Sequence, residues 1–158
     1  MKIRVGFGFD VHQLKEGKDL WLGGIKLSHR KGAVGHSDAD VLIHAICDAL
    51  LGASGMRDIG FHFPDTSEEY KGIDSKILLT RVYALLKKEG YSIGNIDCTL
   101  VLEQPKINPH IDDMKKTLAS ILNIEVNDIA IKATTNEKMG YVGREEGVCA
   151  YAVVIIQK

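Results

Sequence analysis

The chain has no surplus of positive charge, few cysteines, no long apolar run and no internal repeat. Each lack removes a class of function. Across 158 residues, 20 basic and 21 acidic side chains leave a formal net charge of −1, so no global field favours nucleic acid. An anionic substrate would need local positive charge, from a metal or a few basic side chains. The three cysteines, Cys47, Cys98 and Cys149, are odd in number and far apart within apolar stretches. They read as buried thiols of a reducing compartment rather than as a disulfide framework. No apolar run approaches the ~20 residues of a membrane span, and Met1–Phe9 lacks the layout of a signal peptide. A cytoplasmic location without membrane or nucleic-acid partners is expected.

What is present reads as one domain over residues 1–158, a length sufficient for a sizeable core. Apolar residues make up 45% and charged residues 26%, ordinary for a globular protein. Residues 2–13 alternate as a strand, with Val5, Phe7, Phe9 and Val11 on one face and Gly6, Gly8, Asp10 and His12 on the other. A charged turn over 14–19 leads to a short hairpin, 20–22 and 25–27, joined by Gly23-Gly24. A helix is predicted over about 37–53, capped by Ser37 or Asp38. The stretch 55–71 is rich in turn residues. A helix over 74–88 stops near Gly90. A strand at 95–103, a helix at 109–122 and strands at 129–135 and 148–157 complete the order. This order predicts an α+β domain: a small mixed or antiparallel sheet with helices on one face. The last strand is apolar on both sides, and the first carries Phe7 and Phe9 outward. Both predict that the second face is covered, with a neighbouring subunit as the candidate.

The chemistry-bearing residues cluster on two elements. Asp10 and His12, at i and i+2, project from one face of the first strand, after two glycines that leave room for close approach. On the first helix Asp40, His44 and Asp48 form a polar line beside the apolar stripe. Such a line is costly to bury without a partner. If this helix packs on that strand, Asp10, His12 and His44 form a two-histidine, one-carboxylate set with an open position, the arrangement of a catalytic zinc site. Spacing alone leaves a second reading open, in which the histidines are separate structural residues. Asp40 and Asp48 read as structural, with a histidine as a possible object of their orientation.

Several motifs carry a resemblance: Gly8-Phe9-Asp10-Val11-His12, the run His36 to Ala45, Asp58-Ile59-Gly60, Phe63-Pro64-Asp65, Pro105-Lys106, and Lys132 to Gly140 followed by Gly143-Arg144. In this order they resemble the 2-C-methyl-D-erythritol 2,4-cyclodiphosphate synthase family along nearly the whole chain. The resemblance implies a phosphorus–oxygen lyase of non-mevalonate isoprenoid biosynthesis. Its substrate is 4-diphosphocytidyl-2-C-methyl-D-erythritol 2-phosphate, and it releases CMP. It implies a homotrimer built around the sheets, with active sites between subunits.

Position by position, the resemblance places zinc or a similar divalent ion on Asp10, His12 and His44. It places a second ion, magnesium or manganese, on Glu137, bridging the substrate diphosphate. His36 and Ser37 fall where a substrate phosphate is contacted, and Asp58, Gly60 and Asp65 where the methylerythritol part lies. Thr134 and Thr135, with Pro105 and Lys106, would hold the CMP part from the adjacent subunit, Thr135 also standing among the catalytic positions. Tyr141 and Arg144 lie toward the trimer axis, where Arg144 and Phe9 are candidates for isoprenoid diphosphate binding. The chain departs from the commoner pattern at Asn136, in place of a third threonine, at Tyr141, where phenylalanine is frequent, and at Tyr151, where glutamate can stand.

The implied reaction, attack by the substrate's own 2-phosphate on the β-phosphorus, needs no general base because the nucleophile is already an anion. The 60–72 segment, rich in glycine and turn residues, is a candidate lid. Without the resemblance, Ser37 would pass for a helix cap, Thr134 and Thr135 for strand formers, and Arg144 and Lys138 for surface charges. Two other functions fit the metal set: a zinc-dependent phosphohydrolase, and a trimeric protein that binds metal or isoprenoid diphosphate without catalysis. No cytidylyltransferase segment is recognised, so the fused two-activity form is not expected.

Overall fold

The first strand organises the molecule. In the computed structural model, which describes residues 1–158, β1 spans Ile3–Glu16. It absorbs the first half of the charged stretch that the sequence assigned to a turn, which narrows to residues around Gly17. The reason is pairing: Gln13–Glu16 lie against β4 (Lys31–Val34), a short edge strand that alternation did not reveal. Between them β2 (Leu20–Leu22) and β3 (Ile25–Leu27) form the expected hairpin. Gly23 and Gly24 both adopt positive φ, as a two-residue primed turn requires.

The five-stranded sheet runs β4-β1-β7-β5-β6, where β5 is Ser92–Val101, β6 Ile129–Thr134 and β7 Gly147–Gln157. All neighbours pair antiparallel except β5 and β6, which are parallel. The sheet is therefore mixed, as expected for an α+β chain.

Helices α1 (Val41–Ser54), α3 (Ser75–Lys88) and α4 (Ile111–Leu122) supply the main apolar cover. Short α2 (Ile59–His62) and a 3-10 turn at Glu68–Tyr70 break up the turn-rich segment, and α5 (Gly140–Gly143) precedes β7. α1 starts four residues later than predicted. Its cap is Asp40, not Ser37 or Asp38: the Asp40 carboxylate accepts from the backbone N–H of Ile43 at 3.0 Å. The same carboxylate accepts from Gly23 and Gly24 N–H at 3.0 and 2.7 Å, tying the hairpin to the helix start. Burial raises its pKa, against the pull of those bonds.

Helix α1 lies directly on β1 and β7. A Cβ at Gly6 or Gly8 would overlap the carbonyl oxygens of Ala49 or Ala45, and the facing β7 residues Ala150 and Ala152 are small and fully buried. Glycine and alanine let the helix backbone approach. On α4 the stripe Met114, Leu118, Ala119 and Leu122 fills the far side of the core. The opposite sheet face is different: Val5, Phe7, Phe9, Val11, Tyr151 and Val153 are all exposed. No helix is long and apolar enough to cross a membrane.

The contrast between two glycines tests this packing. Gly8→Ala is expected to destabilise the fold by about 1–3 kcal/mol or more, because overpacking pushes α1 off the sheet. Gly52→Ala, in α1 with nothing within 4 Å of an added Cβ, should stabilise by about 0.5–1 kcal/mol. Denaturant melts at fixed protein concentration measure both, and a neutral Gly8→Ala would refute the close approach.

Candidate active site

Where α1 crosses β1, the two elements deliver three side chains to one point. Asp10 Oδ2 lies 2.9 Å from His12 Nε2 and 3.0 Å from His44 Nδ1, and the two ring nitrogens are 3.0 Å apart. This is a group that could hold a metal ion. Its remaining contacts decide how well it would. His12 Nδ1 sits 3.0 Å from the Val34 carbonyl oxygen. A carbonyl only accepts, so Nδ1 carries the proton and Nε2 turns a lone pair toward Asp10. His44 Nε2 is held by Ser75 Oγ at 2.9 Å and Ser37 Oγ at 3.1 Å, on the side of the ring away from Asp10. Two imidazole nitrogens and a carboxylate oxygen within about 3 Å of one another need a cation between them, a proton or a metal ion. The donor set fits a divalent ion with further positions open to a ligand.

Electrostatics point the same way. Burial raises the Asp10 pKa, but hydrogen bonds and charge from His12 and His44 outweigh it and bring the group down to about 2. Burial lowers the His12 pKa, yet the Asp10 carboxylate and the Val34 carbonyl hold it above its ordinary 6.5.

Beside the triad lies a cavity of about 410 Å³ lined in part by His36, Ser37, Gly60 and Asp65, with Ile59 and Phe63 as apolar wall. Four residues that the sequence placed at phosphate or methylerythritol contacts thus share one cavity with His12 and His44. Asp58 does not join them. It caps α2, accepting from Phe61 N–H at 2.9 Å. Asp48, on the same face of α1 as His44, accepts from Ile59 N–H at 2.7 Å. Neither Asp40 nor Asp48 bonds a histidine, contrary to the role considered for them: both carboxylates are taken by backbone N–H groups. His44 takes its support from Ser37 and Ser75 instead. Sequence reasoning missed Ser75, since 31 residues separate it from His44 and nothing periodic links them.

Pro105, Lys106, Thr134 and Thr135 gather elsewhere, around a separate hollow of about 140 Å³ where the parallel pair β5 and β6 ends. Glu103 accepts from the N–H groups of Asn136 and Lys138 at 2.9 and 3.2 Å, so it shapes the loop that presents Glu137. Glu137 is exposed and outside the Asp10 group. Tyr141 lines a third, shallow hollow with Phe9 and Val11, and Arg144 pairs with Glu146 at 3.0 Å. Within one chain the sequence-identified residues therefore fall into three groups, with His12 bordering both the first cavity and the Tyr141 hollow.

The signs of the pKa shifts set a pH dependence. A raised His12 pKa stabilises the metal-free fold fully below pH 6.5, and that contribution disappears as pH rises through the raised value. Asp10 contributes above its unfolded value of 3.8, and its part is lost as pH falls through about 2. A metal ion needs unprotonated nitrogens. Zn²⁺ affinity, read by chelator competition, is therefore expected to fall from about pH 8 to about pH 6. Over the same interval the metal-free wild type should gain stability relative to His12→Asn. Parallel trends in the two quantities would refute the assignment.

Comparison with known proteins adds names to this geometry. The model of the YgbB family matches residues 3–157. A protein of Parabacteroides distasonis named 2-C-methyl-D-erythritol 2,4-cyclodiphosphate synthase is 65% identical over 158 residues, covering 100% of this chain and 98% of that protein. Among solved structures, the bifunctional IspDF of Campylobacter jejuni matches with a TM-score of 0.94 at 37% identity over 98% of this chain, which spans 42% of that longer one. IspF of Plasmodium falciparum, solved as a CDP complex, matches with a TM-score of 0.86 at 35% identity, covering 98% and 95% of the two chains.

Proposed function

Since the chain belongs to the YgbB family, we propose that it converts 4-diphosphocytidyl-2-C-methyl-D-erythritol 2-phosphate to 2-C-methyl-D-erythritol 2,4-cyclodiphosphate and CMP. The observation that carries this reading is the Asp10–His12–His44 group opening on a cavity that His36 and Ser37 also line. A full-length relative 65% identical and named for the activity supports it. Structures of relatives holding CDP support a cytidine nucleotide as the leaving portion.

In this reading an oxygen of the substrate's 2-phosphate bonds to the β-phosphorus, and the bond from that phosphorus to the CMP oxygen breaks. No water is consumed and no proton need be removed from the nucleophile. A bound divalent ion, zinc in this proposal, supplies Lewis-acid neutralisation of phosphate charge. The chain's own residues position and enclose. Ser37 offers its hydroxyl hydrogen to a phosphate oxygen, His36 stands beside it with its Nε2–H given to the Ser67 carbonyl, and Gly60 and Asp65 face the methylerythritol part. Ile59 and Phe63 keep water from the cavity wall. Holding two anions in an attacking geometry is the main task, and oriented intramolecular reactions gain roughly 7–11 kcal/mol from it. Glu137 would hold the second ion, magnesium or manganese, and Thr134, Thr135, Pro105 and Lys106 the CMP part.

Those four residues line a hollow of their own, and the exposed apolar face of β1 and β7 has nothing on it within one chain. Both facts support a homotrimer in which one subunit's CMP hollow meets the next subunit's metal group. The three free, buried cysteines support a reducing, cytoplasmic setting. One catalytic domain of phosphorus–oxygen lyase type accounts for the whole chain.

His44→Ala should lose Zn²⁺ binding and lower cyclodiphosphate formation by at least about a hundredfold, with the assembly intact by sedimentation. Run in ¹⁸O-water, the wild-type reaction should leave no label in the product. Label incorporation would identify a zinc phosphohydrolase instead. A metal-loaded protein inert toward the cytidyl substrate would point to a binding protein. Phe7→Asp should place a charge on the apolar face and give a sedimenting species of about 17.4 kDa with activity abolished. An unchanged larger assembly would sink this face as the interface, and a wild type that sediments as a single chain would sink the trimer.

A further inference from the structure

An imidazole can present either nitrogen to a metal, and the partner of the other nitrogen decides which. For His44 that partner is not a carbonyl but a hydroxyl, which can donate or accept. The ambiguity is resolved one step further out. Ser75, fully buried at the start of α3, donates its hydroxyl hydrogen to Asp38 Oδ1, and its backbone N–H donates to Asp38 Oδ2 at 2.9 Å. Asp40 N–H also donates to Asp38 Oδ1, at 3.1 Å. The Asp38 carboxylate accepts from three donors, and the single Ser75 hydroxyl hydrogen is among them. Ser75 Oγ therefore has only a lone pair to offer His44 Nε2, 2.9 Å away.

Resting on the reading that Asp10, His12 and His44 bind a divalent ion, we propose that Asp38 and Ser75 are a positioning pair. They lock His44 as the Nε2–H tautomer and so reserve Nδ1 for the metal. His12 reaches the same end by a different route, through the Val34 carbonyl. A consequence falls on Ser37. Its Oγ lies 3.1 Å from His44 Nε2 and accepts from Ala39 N–H at 3.2 Å. With Nε2 protonated, the Ser37 hydroxyl hydrogen is not needed by His44 and is free for an anionic oxygen in the cavity it lines. One half-buried carboxylate thus sets both the metal-facing nitrogen of His44 and the donor character of Ser37.

The decisive experiment uses full-length protein with ¹⁵N-labelled histidine. In metal-free wild type at about pH 9, where imidazoles are neutral, His44 should show the Nε2–H pattern. Asp38→Asn places an amide donor beside Ser75 Oγ and turns the hydroxyl toward His44. It should shift His44 toward Nδ1–H and weaken Zn²⁺ binding about 10–100-fold, by chelator competition. Ser75→Ala leaves Ser37 as sole acceptor and should give a smaller loss. A wild-type His44 found as Nδ1–H, or Asp38→Asn and Ser75→Ala both binding Zn²⁺ within threefold of wild type, overturns the pair while leaving the metal site standing. A wild type without Zn²⁺ affinity overturns the underlying metal reading, and the ¹⁵N pattern still judges the pair by itself.

Discussion

Helix α1 can reach the sheet only because its footprint on β1 is glycine and its footprint on β7 is alanine. The rest of the arrangement follows from that contact. Gly6 and Gly8 bring the helix backbone against the strand, and the next two residues on the same face are Asp10 and His12. His44, the residue before the Ala45 that meets Gly8, then lies within hydrogen-bond distance of both. A methyl group at Gly8 would act on packing and on site geometry together, since the same approach serves both. Stability and function therefore share one constraint.

A second theme is how the chain uses carboxylates. Asp10 faces two imidazoles and is held strongly acidic. Asp38, Asp40, Asp48 and Asp58 accept from backbone N–H groups at loop and helix starts. Asp40 joins the hairpin to α1, Asp48 joins α1 to α2, and Asp38 joins the loop before α1 to α3. Elements that meet at the cavity are thus fastened by acidic side chains, whose charge also suits the neighbourhood of a cation. In a chain of nearly zero net charge, the Asp10–His12–His44 group is a point at which a metal ion could add local positive charge.

The sheet has two different faces, and only one is a core. The helix face of β7, from Val148 to Ile156, is fully buried. The other face shows Tyr151 beside both Phe7 and Phe9, with ring centres 6.3 and 5.1 Å apart, yet open on the outside. Exposed aromatic clusters on a strand face are characteristic of surfaces that meet another chain. Within one chain the hollow lined by Pro105, Lys106, Thr134 and Thr135 lies apart from the Asp10–His12–His44 group.

Much of this was legible in the residues. Period-two alternation in β1 put Asp10 and His12 on the glycine face, the apolar stripe of α1 put His44 beside it, and glycines marked the 23–24 turn and the end of the 75–88 helix. These are local properties, set by the repeat of a strand or helix and by the chemistry of a few side chains. The motif order identified the family, because long runs of specific residues carry more information than spacing does. Tertiary structure decided the rest. Edge strand β4 exists only because β1 continues beneath it, and Asp40 became the cap because its carboxylate met the Gly23-Gly24 turn. Ser75 became the partner of His44 across 31 residues of chain. Hydrogen bonds between distant groups have no period to read, so the triad's members were visible in the sequence while its supports were not. That Asp10, His12 and His44 could meet was written in one strand and one helix; that they converge on a single point was decided by two glycines and the depth at which α1 comes to rest.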